Sequence, residues 1–186
     1  VHSTFEKDVA VSDRGNITTV LEDADGIGAF AFANCTSLEK VDFEYGGTQR
    51  LSIGDYAFMN CTNLKGDLDA ATGEYVFTIP YRVRSEAVMN WEQENPQQNY
   101  KFEQSIGIYA FAGCTSLTNV VFEETGVGTF QTPVMLQIGA FYECTSLKSV
   151  KFSSHIGDYK IFVTMKGSDM PVWRIGVQNN AFYGCR

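Results

Sequence analysis

Residues 28–43, Gly28-Ala-Phe-Ala-Phe-Ala-Asn-Cys-Thr-Ser-Leu-Glu-Lys-Val-Asp-Phe43, place one cysteine among small and aromatic residues, with Leu38, Val41 and Phe43 at uneven spacing behind it. The stretch returns as GDYAFMNCTNLKGDL from Gly54, GIYAFAGCTSLTNVVF from Gly107 and IGAFYECTSLKSVKF from Ile138. It returns a last time, broken, as NNAFYGCR up to Arg186. Internal repetition decides a fold before any local signal does. Aligned without gaps, the copies share Ala-Phe, two free positions, Cys, two more, Leu, two more, Val, one, Phe. The Ala-Phe pairs are Ala31-Phe32, Ala57-Phe58, Ala110-Phe111, Ala140-Phe141 and Ala181-Phe182. Four positions before each Ala stands an aliphatic residue: Ile27, Ile53, Ile106, Leu136 or Val177. Next comes Gly28, Gly54 or Gly107, then Gln137 and Gln178, so the glycine fades toward the C-terminus.

One copy shows how the pattern becomes structure. Ala31, Phe32, Cys35 and Leu38 are spaced as one face of a short helix or 3₁₀ turn. Val41 and Phe43 alternate with Asp42, the period-2 sign of a short strand with one buried face. A single unit of this kind cannot bury its apolar side. Stacked units form ladders of Phe, Cys, Leu and Val with the strands side by side in parallel, and roughly three or more are needed for a stable core. Four full copies and a partial fifth are present.

The L-x-x-V-x-F segment matches the strand signature of leucine-rich repeats. Together with Ile27-Gly28, Ala31-Phe32, Cys35, Leu38, Val41 and Phe43, and with Ile106-Gly107, Ala110-Phe111, Cys114, Leu117, Val120 and Phe122, it resembles the BspA-like (Treponema pallidum type) leucine-rich repeats of bacterial surface proteins, also found in some protists. The expected fold class is α/β: a leucine-rich-repeat solenoid of short parallel strands and short helices, with hairpin and helical insertions. One domain spans 1–186. Residues 1–26 read as a flanking hairpin cap with a turn at Asp13 to Asn16, 27–65 as two repeats, and 106–186 as three more with a hairpin insertion at 153–176. Residues 66–105 read as a divergent strand-helix unit. In it Tyr75 to Ile79 form a strand ended by Pro80, Ser85 caps a helix over Glu86 to Glu94, Asn95-Pro96 stops it, and Trp91 packs inward. The IP…AVMNW stretch here also resembles strand-plus-helix units found among such repeats. In the second copy Asp67 and Asp69 take the Val and Phe places, or the register shifts to Leu68.

A chain of 186 residues with 44% hydrophobic and 19% charged residues suits a single folded domain. Its net charge of −8 argues against nucleic acid, which needs clustered Lys and Arg, and against anionic membrane surfaces. No apolar run approaches the ~20 residues that span a bilayer, so no membrane insertion is expected in this segment. No basic start precedes an apolar stretch, so no signal peptide is expected within the chain. Val1 and the interrupted copy at Arg186 read as the ends of a processed or excised piece.

All five cysteines, Cys35, Cys61, Cys114, Cys144 and Cys185, hold one repeat position. Their number is odd, none lies in a CxxC, and the two histidines, His2 and His155, complete no zinc pattern. Equivalent side chains in a stack run parallel, a poor geometry for disulfides. The cysteines are therefore expected to be small buried fillers. No catalytic set, cofactor or metal site is expected. His155 with Ser153, Ser154 and Asp158 lacks a nucleophile elbow and reads as an exposed loop. Glu22, Asp23 and Asp25 offer carboxylates but not the rest of a calcium loop. The sequons at Asn16, Asn34 and Asn60 exist, the latter two as by-products of the repeat.

What remains is surface. Outward strand positions form a candidate binding face: Glu39, Lys40 and Asp42, then Thr118, Asn119 and Val121, then Lys148, Ser149 and Lys151. This polar stripe changes sign along its length, which fits protein recognition by local charge complementarity and fits equally a solvated face. Tyr45, Tyr56, Tyr109, Tyr142, Tyr159 and Tyr183 fall at free positions or in connections. There a ring either offers a low-entropy contact to a protein or sugar or packs the convex side. The resemblance implies a non-enzymatic protein-binding module, extracellular or at a bacterial cell surface, acting in adhesion or host-protein interaction. A glycan-binding module and a structural spacer within a larger surface protein are the alternatives. Asp and Glu do not recur as a pair on neighbouring strands, which weighs against glycan chemistry.

Overall fold

A computed structural model describes residues 26–41, 43, 52–84, 104–125, 130–131, 134–152 and 176–186. The N-terminal hairpin, the helix over 86–94 and the hairpin expected around 159–175 lie outside the described residues, as does Asp42. In chain order the strands are β1 (Gly26–Ile27), β2 (Ser52–Ile53), β3 (Asp67–Leu68), β4 (Tyr75–Arg84), β5 (Gln104–Ile106), β6 (Asn119–Thr125), β7 (Phe130–Gln131), β8 (Val134–Leu136), β9 (Ser149–Phe152) and β10 (Gly176–Val177).

They form two ladders. The first runs β1-β2-β5-β8-β10, all parallel, and aligns the aliphatic position of every copy: Ile27 with Ile53, Ile53 with Ile106, Ile106 with Leu136, and Leu136 with Val177. The second holds β4, β6 and β9 in parallel, with β3 and β7 antiparallel on β4. After its strand in the first ladder, each copy makes an arch of turns, and β6 and β9 follow the arches of the third and fourth copies.

That arch is where a short helix was expected, and among the described residues there is none. Two residues per copy are left-handed: Phe30 (φ 60°) and Asn34 (φ 63°) in the first, Tyr56 (φ 58°) and Asn60 (φ 60°) in the second. The pairs Tyr109 and Gly113, Gly139 and Glu143, and Asn180 and Gly184 repeat this in the rest. A right-handed helix has no room for φ of that sign. Asn and Gly, which tolerate it best, precede the cysteine in four of the five copies.

The consequence lies in the hydrogen bonds. Alternate N–H groups point out of the arch. Phe30, Phe32 and Asn34 donate to the carbonyls of Asp55, Ala57 and Met59 in the next copy at 2.9, 2.7 and 2.7 Å. The N–H groups between them close tight turns at home, Ala31 on Gly28 and Ala33 on Phe30. Tyr56, Phe58 and Asn60 bond forward in the same way to Ile108, Ala110 and Ala112. Successive arches are thus joined as strands are, and side chains at equal positions stand one above another.

The apolar contents follow. Phe32, Phe58, Phe111, Phe141 and Phe182 stack in one column with centroids 5.1–5.5 Å apart and planes within 11°. The second ladder packs its inward residues against this column. Phe77 meets Phe58 and Phe111 edge-on, and Phe122 stacks on Phe152 at 4.6 Å.

Register settles the ambiguous second copy. Neither Asp67, Asp69 nor a shift to Leu68 supplies its strand. Asp67 and Leu68 are exposed and turn back on Val76 and Tyr75 as a hairpin, and Phe77 and Ile79 then stand opposite Val120 and Phe122. The expected stop at Pro80 is also corrected: β4 continues to Arg84 with Pro80 opposite Glu123. A proline is tolerated where the ladder does not need its missing N–H. Only β6 borders β4 through this stretch; on the other side β3 and β7 pair with its two ends among the described residues.

The glycine after the aliphatic residue also has a physical cause. A Cβ on Gly107 would lie 2.5 Å from the Gly54 carbonyl carbon and 2.6 Å from Asp55 N, so the backbones meet with no space for a side chain.

Replacing Phe111 by Ala is expected to cost about 3–5 kcal/mol in urea unfolding, as for a large buried ring, and a loss below about 1 kcal/mol would place that ring outside a packed column. Gly107→Ala is expected to destabilise more than Gly73→Ala, because Gly73 has nothing within 4 Å of its added Cβ and carries only the strain of its positive φ.

Candidate functional site

The repeated cysteines are the first candidates for chemistry, and their surroundings give them a packing role. None of the five is in a disulfide; Cys35, Cys61, Cys114 and Cys144 have no exposure, and Cys185 is partly exposed. Each of the last four donates its S–H to the phenylalanine carbonyl of the preceding copy: Cys61 to Phe32, Cys114 to Phe58 and Cys144 to Phe111 at 3.1 Å, Cys185 to Phe141 at 3.2 Å. Cysteine suits the place because it is small, largely apolar, and still able to donate weakly. Burial first, and the neighbouring thiols second, push Cys61 and Cys114 far above the ordinary range and Cys144 up to about 12. A thiolate is the reactive form, so these sulfurs are inert near neutral pH.

The polar stripe of strand positions is partly consumed by the hairpin that enters after the second copy. Glu39 pairs with Lys65 at 3.1 Å, Lys40 with Asp67 at 3.1 Å, and Lys148 with Glu74 at 3.4 Å. Thr118 donates to the Tyr75 carbonyl. Asn119 is buried: its amide nitrogen donates to Glu74 and to the Tyr75 carbonyl, and its amide oxygen accepts from Ser149. Its polar atoms therefore hold the hairpin on the sheet instead of facing outward. Val121 and Lys151 stand opposite each other on the outer side of β6 and β9, with Lys151 exposed and Val121 half-buried. Ion pairs this exposed contribute little, so Glu39, Lys40 and Lys148 remain able to exchange partners, beside the exposed Lys151.

A second surface comes from the left-handed corner of the arches. Phe30, Tyr56 and Tyr109 occupy that corner in the first three copies and stack at 4.8 and 5.8 Å. In the fourth copy the corner is Gly139, and the Tyr109 ring lies over it, 2.4 Å from where a Cβ would be. Tyr142, three residues further on, supplies the next ring and meets Tyr109 edge-on at 5.5 Å, with Tyr183 stacked on it at 5.1 Å. The result is one unbroken aromatic ribbon across five copies. Phe30 is 46% and Tyr183 58% exposed, and the three rings between them are half-buried. Sequence reading noted the tyrosines singly. The signal for a column was the aromatic residue just before Ala in three copies, hidden when it moves to just after Phe in the last two. Loss of water from its ring and the charge of Glu143 beside it raise the Tyr142 hydroxyl above its usual range, so it stays protonated.

A model of the BspA type leucine rich repeat region matches residues 16–69 and 93–185 in six copies. The chain belongs to the BspA-type leucine-rich repeat family. The match passes over 70–92, which holds most of the entering hairpin and β4, and begins at residue 16. Repeats of this kind generally act as non-enzymatic modules of protein interaction. No curated protein and no solved structure matches the chain. Among the described residues no group of His, Cys, Asp and Glu is placed to hold a metal ion, and no helix is long and apolar enough to cross a membrane. The set around His155 and the carboxylates at 22–25 lie outside the described residues.

The thiols make a prediction about pH. Unfolded, a cysteine titrates near ~8.5; folded, Cys61, Cys114 and Cys144 keep their protons well above that. The native state then binds more protons than the unfolded one, so stability is whole below about pH 8.5 and falls as the pH rises toward about 12, by up to about 1.4 kcal/mol per pH unit per thiol. Denaturant midpoints between pH 7 and 10 are expected to show this fall, and Cys144→Ala to reduce it. In native labelling with a maleimide, Cys185 is expected to react first and the other four only with unfolding; rapid reaction at Cys114 would contradict the buried column.

Proposed function

We propose that this chain is a non-catalytic protein-binding solenoid of a bacterial cell-surface or secreted protein, serving adhesion or host-protein interaction, and that the aromatic ribbon from Phe30 to Tyr183 is its main contact. The ribbon is the observation that carries the reading. Aromatic side chains are enriched at protein interfaces and dominate their energetics. These rings are held in place by arches bonded to one another, so little freedom is lost when a partner settles on them. The charged stripe at Glu39, Lys40, Lys148 and Lys151 then contributes orientation and rate of encounter more than affinity. Surface location and adhesion are inferred from the family resemblance.

Ring orientation favours protein over glycan. A saccharide stacks on an open aromatic face, and within most of the ribbon those faces are covered by the next ring, with planes 9–19° apart. Edges and hydroxyls are what the surface presents, and these suit peptide groups and side chains.

A screen of immobilised extracellular-matrix proteins beside a glycan array tests the reading. Binding to a protein is expected, weakened at least tenfold by Tyr142→Ala with Tyr183→Ala while circular dichroism and melting show a folded chain. Glycan binding without protein binding would favour the glycan module, silence on both would favour the spacer, and turnover of a glycan would overturn the non-catalytic reading.

A further inference from the structure

The aromatic ribbon holds four phenols, and its geometry sorts them into two couples. Tyr56 and Tyr109 share the left-handed corner of the second and third copies, with centroids 5.8 Å and planes 19° apart. Tyr142 and Tyr183 share the position just after phenylalanine in the fourth and fifth, at 5.1 Å and 15°. Within each couple the side chains leave the backbone from equivalent residues of arches that are hydrogen-bonded to one another, Phe58 to Ala110 and Phe141 to Ala181. Like atoms of the two rings therefore face each other. Between the couples this order breaks. Gly139 leaves the corner without a ring, Tyr142 enters from three residues further on, and its plane stands at 74° to Tyr109. There an edge meets a face. On the far side of Tyr56 the neighbour at 4.8 Å is Phe30, which carries no hydroxyl. Tyr75 lies under Lys65 Nζ and has no phenol stacked on it among the described residues.

We infer that Tyr56 with Tyr109, and Tyr142 with Tyr183, are two sites of oxidative cross-linking, each joining adjoining copies through a bond between ring carbons ortho to the hydroxyls. The oxidant is hydrogen peroxide acting through a peroxidase. Each phenol gives up one electron and its hydroxyl proton, and the two radicals join at their ortho carbons. The hydrogen on each joined carbon then moves to the hydroxyl oxygen as the ring regains its aromaticity. The chain loses two hydrogens per bond, and one peroxide becomes two waters. The fold supplies the proximity: a stacked ring meets its partner at a local concentration that no second molecule matches in dilute solution. Tyr56, Tyr109 and Tyr142 are half-buried, so each still reaches solvent. Forming the bond asks the rings to tilt together at their hydroxyl ends, which lie on the open rim of the ribbon. Such a bond restrains the unfolded chain as a disulfide does, in a fold whose column of cysteines holds no disulfide. The coupling is independent of what the ribbon binds.

The test treats the full chain, in dilute solution, with a peroxidase and hydrogen peroxide, isolates the monomer and reads its tryptic peptides by tandem mass spectrometry. Trypsin leaves Tyr56 in residues 51–65, Tyr109 and Tyr142 in 102–148, and Tyr183 in 175–186. Peptide 102–148 is expected to be joined to each of the other two with the loss of two hydrogens per link. Fragmentation is expected to place the bonds at Tyr56 with Tyr109 and at Tyr142 with Tyr183, at least tenfold above any other pair. Tyr109→Phe keeps the ring and removes the phenol; it is expected to abolish the link to 51–65 and spare the link to 175–186. Tyr183→Phe is expected to do the reverse. Should either variant unfold, the map of links in the unaltered chain decides alone. A monomer without links, or links at Tyr75 or between Tyr109 and Tyr142 as frequent as those within the couples, overturns the proposal.

Discussion

Half of the N–H groups in each of the first four arches leave their own copy, and the rest of the structure depends on it. The bonds from Phe32 to Ala57, Phe58 to Ala110, Phe111 to Ala140 and Phe141 to Ala181 set one height per copy. Once that height is set, every position in the pattern becomes a column. Phenylalanine rings fall at stacking distance, thiols fall beneath carbonyls, and glycines at 54 and 107 become obligatory because backbones meet there. Burial supplies the driving force, as in any core, but hydrogen bonding selects which residues are buried together. A helix in the arch would have kept those N–H groups to itself and left neighbouring copies joined by side chains alone.

Much of this was legible in the letters. The repeat named the columns of Phe, Cys and Leu, and the absence of disulfides between the thiols followed from equal positions pointing the same way. Two things were not legible. The spacing of Ala31, Phe32, Cys35 and Leu38 suits a helical face, and nothing in a hydrophobic pattern reports the sign of φ at Phe30 or Tyr56. Only Asn34, Asn60, Gly113 and Gly184 ahead of the cysteines carried that message, and an asparagine or glycine there also reads as an ordinary turn residue. The first ladder was missed for a related reason. Two-residue strands such as β1 and β2 are too short to show alternation, and Ile27 and Ile53 stood out in the sequence only as an aliphatic position ahead of each Ala-Phe pair.

The surface was less legible than the core, because pairing across long sequence distances decides which polar groups stay free. Asn119 looked like an outward strand residue of the candidate face. It is buried because Glu74 and Tyr75, brought back by the hairpin from β3 to β4, reach it from more than forty positions away. The tyrosines changed in the opposite sense: scattered in the alignment, they become continuous in space, since Tyr142 takes over where Gly139 leaves the column empty. The protein-binding reading rests on that continuity, and on a backbone rigid enough to hold the rings still.

Amide hydrogen exchange measured by NMR tests the central claim most directly. The account predicts that the N–H groups of Phe58, Phe111 and Phe141 exchange only through global unfolding, while that of Ala70, exposed in the turn between β3 and β4 with no acceptor among the described residues, exchanges orders of magnitude faster. Equal and rapid exchange at all four would show that the arches are not bonded to one another, and the columns would lose their cause.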